Sequence, residues 1–154
     1  MTRERAFPTA LDSSVVVASL LAAHQSHRVA VAAVEEVLSS EGGFLLPVHA
    51  ALESFSVLTR LPSPHRLRPE DAGRLLRETC GVHARLVASP PPSRWWSFLS
   101  DLAAARVVGG RAYDALILRS ALDGGARRLL TLNPRHFADL VPAGFAVVAP
   151  GSSM

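Results

Sequence analysis

The chain has 154 residues, 49% of them hydrophobic and 19% charged, which fits one globular domain with a sizeable core and excludes general disorder. The formal net charge is +3 and all 16 basic residues are Arg, so P-loop nucleotide binding, Schiff-base chemistry and any site that needs an ammonium group are excluded. The single cysteine, Cys80, excludes an internal disulfide and a Cys-based zinc site, and it points to a reducing, cytoplasmic setting.

Phe7 to Leu11 reads as a short buried strand, ended by the polar cluster Asp12-Ser13-Ser14, which is a helix-start signal. The apolar run Val15 to Ala23 follows Arg3 and Arg5, as in a leader peptide. It lacks a small-x-small cleavage site and is too short to span a bilayer. It therefore reads as a buried helix over Val15 to His24, and no membrane association is expected. A second helix runs from His27 to Ser39 and is broken by Gly42-Gly43. Phe44 to Leu46 is a second strand. Val48 to Arg60 is a third helix, whose predicted apolar stripe is Val48, Ala51, Leu52, Phe55 and Leu58. Its polar side carries His49, Glu53, Ser56 and Arg60.

Pro69 to Thr79 is a helix with Pro in its first turn and Glu70-Asp71 complementing its dipole. Arg85 to Ala88 is a strand, followed by a rigid Pro90-Pro91-Pro92 turn. Ser93 is predicted to cap a helix to Arg106 that carries Trp95 and Trp96. Neighbouring residues on a helix do not share a face, so one Trp is expected in the core and the other at a dimer or partner contact, where it could also stack on a base. After the Gly109-Gly110 loop come a helix from Tyr113 to Leu122, a strand from Arg128 to Thr131, a helical turn at Asn133-Pro134 and a last strand from Phe145 to Val148. Strands and helices alternate, which predicts an α/β sandwich around a mostly parallel sheet, as one domain over residues 1–150 with a loose tail at 151–154.

Functional sites in parallel sheets form beyond the carboxyl ends of the strands. Asp12 ends the first strand, Asn133 follows the strand ending at Thr131, Glu53 lies on the helix after the second strand, and Asp114 opens a helix after a glycine loop. Crowded carboxylates repel one another, and a hard divalent cation relieves the repulsion. Oxygen ligands select magnesium or manganese over zinc. The pattern suggests a metal-dependent phosphodiesterase. Each residue also has a plainer reading: Asp12 and Asn133 as helix caps, Asp114 as a dipole partner, Glu53 as an exposed helix residue. His49 and Glu53, four residues apart, and the pair His24 and His27 lack a third zinc ligand and read as helix-end and surface residues.

Four stretches together resemble the signature blocks of PIN domains, most closely those of the VapC branch. They are Ala10-Leu11-Asp12-Ser13-Ser14-Val15, Leu52 to Arg60, Tyr113-Asp114-Ala115-Leu116-Ile117 and Leu130 to Phe137. The resemblance implies a three-layer α/β/α fold with about five strands, and magnesium- or manganese-dependent endoribonuclease activity. It assigns Asp12, Glu53 and Asp114 as acidic metal ligands, with Ser14 and Thr131 supporting the site. The fourth ligand position, often Asp in the family, is Asn133. It supplies a carbonyl oxygen but no charge, which makes one firmly held metal a safer expectation than two. The resemblance also implies a homodimer and a cognate antitoxin that covers the acidic groove. Arg111, Arg135 and Arg60 are candidates to hold the RNA backbone, since such contacts position a strand without reading it. A PIN-type nuclease of RNA processing and a catalytically weak module that binds RNA or protein are the alternatives.

Overall fold

The computed structural model describes residues 6–152. Arg3 and Arg5, and residues 153–154 of the expected tail, lie outside that range. Of the rest of the tail, Gly151 takes a positive φ of 79° and Ser152 N donates to the Ala149 carbonyl at 3.2 Å.

Five short strands, β1 (Thr9–Leu11), β2 (Phe44–Pro47), β3 (Ala84–Val87), β4 (Arg128–Leu130) and β5 (Ala146–Val148), form one sheet in the order β3-β2-β1-β4-β5. Every pairing is parallel, with Ala10 opposite Leu45 on one side and Leu129 on the other. The six described α-helices are α1 (Ser13–Leu20), α2 (His27–Ser39), α3 (Val48–Arg60), α4 (Pro69–Leu76), α5 (Trp95–Ala104) and α6 (Arg111–Asp123). The predicted α/β/α sandwich is the observed fold.

The chain builds outward from β1 to β3, then returns to the opposite side of β1 for β4 and β5. Parallel crossovers are right-handed, so this reversal sends helices to both faces of the sheet. It also opens a crevice between the carboxyl ends of β1 and β4. The central strand β1 and its neighbour β4 contribute Ala10, Leu11, Leu129 and Leu130, which are buried together with Val15, Val16, Ile117 and Phe137. A strand covered on both faces reads as a continuous apolar run, which is why three-residue strands are recognisable here.

Several local expectations are corrected. Phe7 precedes the strand; its ring lies under the Arg127 guanidinium, 3.7 Å from the centroid. The helix after Pro69 is α-helical only to Leu76, and Arg77–Gly81 continue as a wider turn. Ser93 caps nothing: it lies inside a tight turn, Pro92–Arg94, that precedes α5. Neither tryptophan enters the core, since α5 has no buried residue and Trp96 is 81% exposed. The buried face of α3 is Ala50, Ser54 and Leu58, while Leu52 is 64% exposed. Small side chains let α3 pack against α1, α4 and α6 at once. Ser54 is tolerated there because its hydroxyl donates to the Ala50 carbonyl at 2.7 Å.

Candidate active site

Asp12 follows β1 directly and is buried. Its backbone carbonyl accepts from Val15 N and Val16 N, but its side chain makes no capping bond to α1. The carboxylate is held from elsewhere. Ser14 Oγ and Thr131 Oγ1 both donate to Oδ2 at 2.8 Å. Thr131 is wholly buried just past β4, so this bond ties the ends of the paired strands β1 and β4 together. Ser14 Oγ in turn accepts from Leu132 N at 2.9 Å, and Thr131 Oγ1 accepts from Asn133 N at 3.1 Å. The result is a connected network that fixes Asp12 while leaving its Oδ1 without a hydrogen bond from any described residue.

Glu53 sits in the second turn of α3, where Ser13 Oγ donates to its Oε2 at 2.7 Å. Asp114 lies in the first turn of α6. Glu53 and Asp114 line one cavity of about 560 Å³ together with Arg111, Tyr113, Arg135 and His136. The carboxyl of Asp114 is pushed above its ordinary range, first by burial and next by the negative charge of Asp12, with Glu53 adding to the same effect. His136, whose Nδ1 is 3.9 Å from Asp114 Oδ2, and Arg111 act in the opposite direction. Glu53 and Asp114 therefore share one cavity, and Asp12, at the strand end where the sheet reverses direction, lies near enough to Asp114 to act on its charge.

Not every predicted residue joins them. Asn133 is exposed, makes no capping bond, and lines a neighbouring cavity of about 420 Å³ with Ser13, Ser14 and His24. Arg60 lies in the last turn of α3 and lines neither cavity. Arg111 lines the acidic cavity while pairing with Asp139 at 3.4 Å. His24 accepts from Ser26 N and His27 Nδ1 contacts the Ala18 carbonyl, so both stay structural. Ser13, Tyr113 and His136 are missing from the sequence-based set. Ser13 adjoins Asp12, and His136 falls inside the last signature block, but no spacing rule marks either one.

A hydrated hard cation suits this donor set. All the candidate donors are oxygens, and the charge crowding felt by Asp114 is what such an ion relieves. Among the described residues, no three His, Cys, Asp or Glu side chains stand close enough to grip one ion directly. Magnesium commonly keeps several waters and takes only one or two carboxylates, which such a wide crevice allows.

The family model for the PIN domain matches residues 9–141. Ribonuclease VapC40 of Mycobacterium tuberculosis is 37% identical over 119 residues, covering 77% of this chain and 81% of the relative. Ribonuclease VapC27 of the same organism is 38% identical over 117 residues, covering 75% and 78%. Among solved structures, M. tuberculosis VapC20, described as a sarcin-ricin loop cleaving toxin, superposes with a TM-score of 0.61. It is 15% identical, with 79% of this chain and 86% of that one covered.

Proposed function

Because the chain belongs to the PIN-domain family, we propose that it is an endoribonuclease of the toxin kind, hydrolysing RNA phosphodiester bonds with the help of a divalent cation. The observation that carries this reading is the negative charge that Asp12 and Glu53 bring to bear on Asp114, with Asp12 restrained by Thr131 instead of capping its helix.

Asp12 and Asp114 are the residues that would hold magnesium or manganese, directly or through water, with Glu53 beside them. The bound ion would supply Lewis-acid stabilisation of the scissile phosphate and acidify a water. The chain's own groups do the rest. Glu53, steadied on Oε2 by Ser13, orients the attacking water or takes its proton at the other carboxylate oxygen. Ser14 and Thr131 keep Asp12 in position. Arg111 and Arg135, on the rim of the acidic cavity, bind backbone phosphates. Asn133 faces the neighbouring cavity with Ser13 and Ser14 and brings no charge, so the site favours one tightly held ion.

The same cluster suits a cognate antitoxin that lays a basic side chain into the crevice. The exposed apolar face of α5, with Trp96 and Leu99, suits a second copy of the chain. No described helix is long and apolar enough to cross a membrane, and the cysteine content fits the cytoplasm.

The test is cleavage of total RNA by the purified protein with and without magnesium, with cut ends mapped beside an Asp114→Asn control. Asp12→Asn, Glu53→Gln and Asp114→Asn are each expected to abolish cleavage while retaining the fold. RNA left intact by the wild type under both conditions would instead identify a binding module.

A further inference from the structure

We infer that the apolar cavity beside the acidic one is a base subsite, which takes one unstacked base of the RNA strand whose scissile phosphate lies in the acidic cavity. The inference rests on the ribonuclease reading above. The cavity measures about 340 Å³, within the size range of small-molecule clefts, and is lined by Val48, His49 and Leu52 of α3, Leu116 of α6, Trp95 and the Pro90–Pro92 segment.

Its position couples it to the acids. The His49 ring lies parallel to the Tyr113 ring, with centroids 5.0 Å apart and planes 6° apart. His49 lines the apolar cavity and Tyr113 lines the acidic one, so this stacked pair is the wall between them. Along α3, His49 precedes Glu53 by one turn, a rise of about 6 Å. A single strand with its bases splayed out spans that distance within about one or two nucleotides. A strand with a phosphate near Glu53 thus brings a neighbouring base to His49.

The lining chemistry selects a base over other parts of RNA. No Arg, Asp or Glu lines the cavity, so it does not serve a second phosphate. The hydroxyls at its floor are committed, Ser120 to the Ser89 carbonyl and Ser89 to Asp123. What remains are apolar carbons, two aromatic residues, His49 and Trp95, and the His49 ring nitrogens. Unstacked bases are held on such platforms by their faces, with limited reading of their edges.

The test uses short RNAs in which one nucleotide at a time near the cut carries no base. At one position the abasic change should raise the wild-type KM about tenfold, the loss of one stacking contact. His49→Ala should raise KM on intact RNA to a similar degree, yet be indifferent to the abasic change at that position. His49→Phe should restore the sensitivity. Wild type and His49→Ala responding alike at every position would overturn the subsite. That response, joined to conversion of a dimer into monomers by Leu52→Arg, would assign the cavity to a contact between copies and equally overturn it.

A second measurement needs no hydrolysis. In chelating buffer, 2-aminopurine at the same position should be quenched by the wild type and not by His49→Ala. Quenching lost in His49→Ala, from a protein that cuts no RNA, would sustain the subsite while sinking the nuclease reading. RNA cut without any His49-dependent quenching would do the reverse.

Discussion

Ionising Asp114 costs the folded protein free energy, because burial and the charges of Asp12 and Glu53 both favour its protonated form. The sign of the pH dependence follows. Its folded value lies above the ordinary 3.8, so this residue's contribution to stability is full below 3.8 and is lost as pH rises through the folded value. In chelating buffer Asp114→Asn should therefore raise Tm at neutral pH, with each 1 kcal/mol relieved reading as roughly 2–4 °C, and the gain should vanish under strong acid. Added magnesium should raise the wild-type Tm more than that of the variant. Thr131→Val tests the other side of the site. It keeps the shape but strips a donor from a buried carboxylate, so urea denaturation should show a loss of about 1–3 kcal/mol. Asn133→Asp adds a charge beside Ser13 and Ser14 and should tighten divalent-ion binding by titration. Unchanged or weaker affinity would remove Asn133 from the ion's surroundings. The sequence singles out Asp12 because it ends a strand, and Glu53 and Asp114 through the signature blocks they share with the family. Ser13, Tyr113 and His136 were not, because a hydroxyl reaching Glu53 or a ring stacked on His49 is a property of folded distances.

Two helices show how far periodicity reaches. The bounds of α3 were legible in full, and of its expected apolar stripe Leu58 is buried and Ala51 and Phe55 pack against the core, while Val48 and Leu52 are exposed. Apolar spacing identifies which side could be covered; the neighbours decide which side is. Here α1, α4 and α6 crowd the Ala50–Ser54–Leu58 face, where small residues admit close approach, and Leu52 stays outside. Ala50→Leu should accordingly cost about 1–3 kcal/mol by denaturant titration. Leu52→Gln should change stability by less than about 0.5 kcal/mol, as exposed positions do. Helix α5 was misread in a different way. Its aromatic content suggested a core residue, but the β3–α5 connection carries it clear of the sheet, with no residue of its own buried.

At the scale of the whole molecule, the alternation of elements made the α/β class legible, while the strand order was not written in any local pattern. That order places β1 at the centre and lets segments far apart in the chain meet at its end. An exposed helix bearing Trp96 and Leu99 predicts association, so Trp96→Arg should shift a dimer to monomers in sedimentation. The bond from Thr131 to Asp12 spans 119 positions, and it has a consequence for synthesis. All three acids are made before β4, so a product that stops short of Thr131 carries every carboxylate, with Ser14 beside Asp12 but without the buried hydroxyl that holds it from across the sheet. On the reading proposed above, ordered cleavage would await the synthesis of Thr131, after every carboxylate is already in the chain.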